Sequence, residues 1–173
     1  MRVTMIGAGY VGLVSGACFA DFGHQVTCID KDAAKIAALN RGEIPIFEPG
    51  LSELVESNVR EERLEFTAEI SRVGDADAVF IAVGTPSRRG DGHADLSFVY
   101  QAVREIAPLL SGAAVVITKS TVPVGTGDEI EIILREKRPD DDIQVVSNPE
   151  CPQGSRRNLS ATLFEYASDH LCQ

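Results

Sequence analysis

Three glycines with the spacing GxGxxG stand near the start of the chain, directly after a short apolar run. They are Gly7, Gly9 and Gly12, in a segment that reads GAGYVG. The first glycine permits a tight turn, the second lets the backbone approach a pyrophosphate, and the third lets a helix pack closely on a strand. A helix that opens here presents unpaired N–H groups and the positive end of its dipole to phosphates. The pattern therefore predicts a dinucleotide site.

An acidic residue follows the next apolar run. Gln25–Ile29 leads into Asp30, which stands 18 residues beyond Gly12. A carboxylate at that place can accept hydrogen bonds from both hydroxyls of an adenosine ribose and would repel the 2′-phosphate of NADP, so NAD is the favoured cofactor. Lys35 either reaches back to the adenosine end of the cofactor or lies on a solvated helix surface. A solvated surface is our interpretation of Lys31.

Three later apolar runs each lead into a polar cluster. The clusters are Gly84–Pro86, Lys119–Thr126 and Ser147–Glu150. Because the carboxyl ends of parallel strands meet at one edge of a sheet, we expect these clusters to share a ligand cleft with the glycine turn. The hydroxyl of Thr121 could hold a water or a substrate oxygen. Glu150 carries the only carboxylate in the clusters, which makes it the candidate base or water-orienting residue, although it could also be a surface residue after Asn-Pro.

The elements that must position these residues alternate between short apolar runs and longer amphipathic segments. This order predicts a Rossmann-like, doubly wound α/β fold, with a mainly parallel sheet and helices on both faces. The predicted strands are Val3–Ile6, Gln25–Ile29, Leu64–Thr67, Ala78–Val83, Ala114–Thr118 and Ile143–Val146. The predicted helices are Val11–Phe22, Asp32–Asn40 with Asp32 as N-cap and Gly42 as C′ residue, Leu51–Glu62, Leu96–Leu110 and Thr126–Lys137. Leu159–Tyr166 could form a short helix or strand.

Composition excludes several classes of protein. The 173 residues suffice for one domain, and the net charge of −10 makes a nucleic-acid partner unexpected. No apolar run reaches the length of a membrane span, so we expect no membrane partner. The four cysteines lack metal-ligand spacing, so no metal site is predicted. We interpret them as reduced thiols of a cytoplasmic protein, with Cys18 and Cys28 as small core residues.

Over residues 1–150 the chain resembles the UDP-glucose/GDP-mannose dehydrogenase family. The segments that carry the resemblance are Gly7–Gly16, Pro45–Leu51, Val83–Pro86, Ser120–Thr126 and Ser147–Glu150. The last two read STVPVGT and SNPE, and they are more similar to the UDP-glucose branch of the family than to its GDP-mannose branch.

The resemblance implies a four-electron oxidation of a nucleotide sugar, in which two NAD molecules take the C6 alcohol to a carboxylate. A cysteine would trap the aldehyde covalently between the two oxidations, and water would hydrolyse the resulting thioester. By position, Thr121 and Glu150 would orient that water. The residues implied to bind NAD are Gly7, Gly9, Tyr10, Val11, Gly12, Asp30, Lys35, Gly84, Thr85, Pro86, Ser120, Thr121 and Glu150.

The resemblance ends abruptly after Glu150. The following CPQGS does not match the family's sugar-contacting segment, so we expect residues 151–173 to be a tail from a truncated or frameshifted gene. The family's catalytic cysteine, its dimer-forming helix and its sugar-nucleotide domain would then lie beyond this chain. Cys151 and Cys172 do not stand in the context of that cysteine.

We therefore expect this chain to bind NAD without oxidising UDP-glucose on its own. The alternatives are a stand-alone NAD-binding module, an inactive fragment, or a relative acting on GDP-mannose or UDP-N-acetylmannosamine.

Overall fold

A single six-stranded parallel sheet organises the chain. The computed structural model describes residues 1–88 and 94–148, so Glu150 and the predicted element Leu159–Tyr166 lie outside the described residues. The strands are β1 (Arg2–Ile6), β2 (Gln25–Ile29), β3 (Leu64–Thr67), β4 (Ala78–Ile81), β5 (Val115–Thr118) and β6 (Gln144–Ser147). Their spatial order is β3-β2-β1-β4-β5-β6, with every neighbouring pair parallel. The order reverses between β1 and β4, so the predicted doubly wound fold is confirmed.

Helices cover both faces of this sheet. They are α1 (Tyr10–Asp21), α2 (Ala33–Asn40), α3 (Leu51–Arg60), α4 (Ser97–Ile106) and α5 (Thr126–Lys137), with a 3-10 helix at Ile70–Asp75 between β3 and β4. All five predicted helices and all six strands are present, and only their ends differ. The 3-10 helix was not predicted, because one short turn carries too little periodicity to stand out from a loop.

The strands send alternate side chains into two apolar layers. Met5 and Cys28 are fully buried in the layer under α1, α2 and α3, whereas Val79 and Val116 are fully buried under α4 and α5. Burial raises the pKa of the Cys28 thiol to about 12, so this cysteine is the small core residue that the sequence predicts. Cys18 is only half-buried.

Three of the described helices, α1, α2 and α3, end in left-handed backbone, with Gly23, Gly42 and Glu62 as the residues of positive φ. After α2 the C′ residue is Gly42, with φ of 79°, and the amide N–H of Glu43 reaches back to the carbonyl of Ala38. This is the Schellman motif that Gly42 predicts. The same motif ends α3, where the amide N–H of Arg63 donates to the carbonyl of Asn58. Its C′ residue is Glu62, with φ of 57°. A side chain there costs free energy that glycine would not.

The change Glu62→Gly should therefore raise the free energy of unfolding, by about 0.5 to 1 kcal/mol. The matched control is Glu56→Gly, which makes the same replacement at an exposed position inside α3. There, glycine should lower the free energy of unfolding by about 1 kcal/mol. Urea unfolding of the three proteins checks both signs, and equal losses in the two variants would contradict the assignment of strain to Glu62.

Candidate dinucleotide site

A cleft of about 410 Å³ opens at the carboxyl ends of β1, β2 and β4, at the reversal of strand order. This is where open α/β sheets bind ligands, and the volume is typical of sites for small molecules. Of the predicted site residues that the structure describes, six line the cleft: Gly7, Gly9, Asp30, Lys35, Gly84 and Pro86. The remaining wall consists of Ile6, Ile29, Lys31, Ile70, Ala82, Val83, Phe98, Ala102 and Glu105.

The glycine turn is packed against its own backbone on one side and open on the other. Gly7 has φ of 105°, and a Cβ atom there would lie 2.7 Å from the carbonyl oxygen of Ala82. A Cβ atom on Gly12 would lie only 1.8 Å from the carbonyl oxygen of Gly7. By contrast, a Cβ atom on Gly9 would meet nothing within 4 Å. The turn therefore needs glycine at its two ends for the fold, and its middle residue faces open space.

The carboxylate of Asp30 joins the ends of two strands and the start of a helix. Its Oδ2 accepts hydrogen bonds from the amide N–H of Ala8, at 2.9 Å, and from Lys35 Nζ, at 2.7 Å. Its Oδ1 accepts from the amide N–H of Asp32, at 3.0 Å. The side chain of Asp30 is only 14% exposed. Asp30 thus positions the glycine turn and Lys35 in addition to facing the cleft.

These hydrogen bonds decide the ionisation of Asp30. Burial alone would raise the pKa of its carboxyl, but the hydrogen bonds from Lys35, Asp32 and Ala8 outweigh burial and hold the pKa below its ordinary 3.8. Asp30 is consequently a carboxylate at neutral pH, and Lys35 neutralises much of its charge.

Part of the cleft wall comes from α4, which the strand-end pattern of the sequence does not predict. Phe98, Ala102 and Glu105 lie four and three residues apart, so they share one face of the helix. Glu105 forms a 2.8 Å ion pair with Lys31 from the end of β2. Lys31 is 64% exposed, in keeping with its interpretation as a solvated surface residue, and it also lines the cleft. Helical spacing on α4 was the available signal, but it could not show which face turns towards the cleft.

Ser120 braces the loops that follow β4 and β5. Its hydroxyl lies 2.7 Å from the carbonyl oxygen of Val83 and 3.2 Å from that of Ile81, and the residue is 6% exposed. The hydroxyl is thus engaged with backbone and is not part of the cleft wall. Thr121 lies in the exposed loop directly after it, and Thr85 also stands outside the described wall.

The first turn of α1 lies beside the cleft. Tyr10, Val11 and Gly12 are outside its described wall. The hydroxyl of Tyr10 donates to Glu48 Oε2 at 2.8 Å, which connects this turn to the loop before α3. What α1 offers the cleft is its N-terminus, because the positive end of the helix dipole and the backbone N–H groups of a first turn favour an anion.

The residues present fit a dinucleotide. The open side of Gly9 leaves room for phosphate at a helix N-terminus, and Asp30 with Lys35 offers an acceptor and donors for ribose hydroxyls. Within residues 1–88 and 94–148, no group of three His, Cys, Asp or Glu side chains is placed to hold a metal ion. In the same ranges, no helix is long and apolar enough to cross a membrane.

The change Gly12→Ala should destabilise the fold, because the added Cβ would collide with the backbone of Gly7. We expect a loss of roughly 3 kcal/mol or more in the free energy of unfolding. The control is Gly9→Ala, whose Cβ enters open space at a φ of −78° that any residue adopts. Thermal unfolding of both variants is the measurement. A stable Gly12→Ala protein, or an equal loss for Gly9→Ala, would contradict this account of the turn.

The change Asp30→Asn should lower the free energy of unfolding at neutral pH by roughly 2 kcal/mol, since the ion pair with Lys35 is lost. A carboxyl with a lowered pKa stabilises the fold above its ordinary pKa of 3.8, and this stabilisation disappears as the pH falls through the lower folded value. The difference between parent and variant should therefore be constant near neutral pH and shrink below pH 3.8. Urea unfolding across this range measures it, and a difference independent of pH would contradict the prediction.

Comparisons with known proteins agree with this geometry. Residues 1–158 match the model of the UDP-glucose/GDP-mannose dehydrogenase family, NAD binding domain. A UDP-glucose 6-dehydrogenase of Rhizobium meliloti is 69% identical over 151 residues, which are 87% of this chain and 35% of the relative. A second, from Pseudomonas aeruginosa, is 47% identical over 155 residues, which are 87% of this chain and 34% of that protein.

Solved structures show the same architecture. The ternary complex of a GDP-mannose dehydrogenase from Pseudomonas aeruginosa superposes with a TM-score of 0.84 at 33% identity, covering 95% of this chain and 38% of the other. A UDP-glucose dehydrogenase from Pyrobaculum islandicum gives 0.83 at 32% identity, covering 98% and 42%. The chain thus spans about a third of the length of the curated relatives it matches.

The reversal of strand order, the glycine turn and the partly buried carboxylate of Asp30 agree with the family match over residues 1–158. On this evidence, the chain belongs to the UDP-glucose/GDP-mannose dehydrogenase family and carries its NAD binding domain.

Proposed function

We propose that this chain supplies the NAD-binding part of a UDP-glucose 6-dehydrogenase, which oxidises UDP-glucose to UDP-glucuronate with two NAD and water. The observation that carries the proposal is the Asp30 carboxylate, which is hydrogen-bonded to the glycine turn at the sheet's switch point. The 69% identity to the Rhizobium meliloti enzyme supports the choice of sugar over the GDP-mannose and UDP-N-acetylmannosamine relatives, which are 33% and 30% identical.

The ribose hydroxyls would share Asp30 and Lys35. A carboxylate has about four acceptor positions. Three are taken by Ala8, Asp32 and Lys35, which leaves one on Oδ1. One ribose hydroxyl would donate to that position and its neighbour would accept from Lys35 Nζ. This refines the expectation that Asp30 accepts from both hydroxyls, because Lys35 occupies part of the carboxylate.

The pyrophosphate would lie at the open side of Gly9, against the N-terminus of α1. When bound, NAD supplies the hydride acceptor for oxidation of an alcohol carbon. Gly84, Thr85 and Pro86 would border its nicotinamide end. Ser120 would act by bracing this loop through the carbonyl of Val83, and its role is then positional.

Several finer roles remain proposals. Thr121 would hold the hydrolytic water together with Glu150, which lies outside the described residues. In the longer family proteins, a nucleotide sugar would bind to a further domain, and dimerisation would use a central helix. We also propose that the protein is cytoplasmic, with neither nucleic acid nor membrane as partner.

Calorimetric titration with NAD tests the cofactor assignment. We expect saturable binding to the parent chain, and weaker binding by about ten-fold or more to Gly9→Ala, because the added methyl group occupies the phosphate position. NADP should bind the parent more weakly by about ten-fold or more, since its 2′-phosphate would face Asp30.

Thermal unfolding serves as the control that Gly9→Ala remains folded. Absence of heat with a folded parent would contradict the proposed function. Equal affinities of the parent for NAD and NADP would contradict the role given to Asp30 while leaving dinucleotide binding in place.

A further inference from the structure

The cleft has a polar rim beyond the ribose position. Lys31 directly follows Asp30, so a group attached to a ribose held by Asp30 lies next to Lys31. The described residues that line the same cleft include the apolar side chains of Ile29, Ile70 and Ala102 of α4. An apolar slot beside a ribose site suits a flat heterocyclic base.

Two residues that line the cleft, Lys31 and Glu105, belong to a three-residue hydrogen-bond network that also includes Gln101 of α4. Glu105 Oε1 accepts from Lys31 Nζ at 2.8 Å and from Gln101 Nε2 at 3.0 Å. The hydrogen bond from Lys31, joined by that from Gln101, outweighs burial and lowers the pKa of Glu105, which keeps it ionised at neutral pH. Both of these hydrogen bonds go to Oε1, and among the described residues no hydrogen-bond donor contacts Oε2 of Glu105. The rim thus offers one free acceptor oxygen and an ammonium group that carries more donors than it uses.

A free acceptor on Glu105 beside the donors of Lys31 complements the hydrogen-bonding edge of one purine base, adenine. Adenine presents an amino group at C6 as donor, next to the ring nitrogen N1 as acceptor. Hypoxanthine reverses both, because its C6 carries an oxygen and its N1 carries a hydrogen. A carboxylate beside C6 would accept from the amino group of adenine and would face the oxygen of hypoxanthine with like polarity.

We propose that Glu105, with Lys31, reads the adenine edge of the bound dinucleotide and selects adenine over hypoxanthine. Glu105 Oε2 accepts from the C6 amino group, while Lys31 covers the outer side of the slot and its ammonium holds the carboxylate in place. The inference rests on the proposed binding of NAD in this cleft and adds to it a reason for base selection. Both side chains come from elements that the sequence separates by 74 positions.

The ordinary alternative is a surface ion pair without a role in binding. Lys31 and Glu105 are 64% and 36% exposed, and pairs of this exposure contribute little to stability. Stability therefore does not explain the pair, and a selectivity measurement separates the two interpretations. The matched control is Glu131 on α5, which is 43% exposed, pairs with Arg135 and lies outside the cleft wall.

The experiment compares NAD with nicotinamide hypoxanthine dinucleotide by calorimetry, using the parent chain, Glu105→Gln and Glu131→Gln. Both substitutions remove one negative charge from an exposed pair. We expect the parent to prefer NAD by about five-fold, which corresponds to one hydrogen bond. Glu105→Gln should bring the ratio of the two dissociation constants close to one, because an amide can either accept or donate. Glu131→Gln should keep the parent's ratio.

Three results would overturn the inference. Equal affinity of the parent for both dinucleotides would exclude base selection while leaving NAD binding intact. Retention of the full ratio in Glu105→Gln would show that other groups read the base. Binding of neither dinucleotide to the folded parent would contradict the proposed function as well, and it is distinguishable from the first result by the absence of heat.

Discussion

The carboxylate of Asp30 is the interaction on which the site depends. It is nearly buried, and it receives hydrogen bonds from the glycine turn, from the start of α2 and from Lys35. A buried carboxylate must be satisfied by donors, and here the donors come from the elements that form the cleft. Removing water from this group therefore fixes the position of the turn before any ligand arrives. The same three hydrogen bonds therefore contribute to the free energy of folding and hold the residues of the site in place.

Steric closure of the glycine turn adds a second constraint. A Cβ atom on Gly7 would collide with the backbone that leaves β4, and one on Gly12 would collide with Gly7, so the loops on both sides of the switch point pack closely only with glycine at these positions. The brace from Ser120 to Val83 extends this contact to the loop after β5. Three consecutive strand ends along the sheet are thus held at fixed spacing. The open side of Gly9 is the one place where the turn leaves space for a phosphate.

Local patterns predicted the sheet, the helices and the glycine turn because these depend on apolar periodicity and on backbone conformation. That Asp30 and Lys35 lie at the cleft could also be predicted, because Asp30 directly follows a strand and Lys35 is only five residues further along the chain. The ion pair between Lys31 and Glu105 could not, because it joins residues that only the fold brings together. The hydrogen bonds of the Ser120 hydroxyl to backbone oxygens could not be predicted either, for the same reason, and binding of NAD by Ser120 stays a prediction.

Titration of the ¹⁵N-labelled chain with NAD, followed by amide chemical shifts, tests the central claim most directly. We expect saturable shifts concentrated at the amides of the Gly7–Gly9 turn, at those of Asp30 to Lys35, and at those of the loop from Ala82 to Pro86. The shift of Ala8 should be among the largest, because its N–H donates to the carboxylate that we propose as the ribose acceptor. A dispersed spectrum with no shifts, or with shifts confined to the α5 and β6 side, would contradict the account.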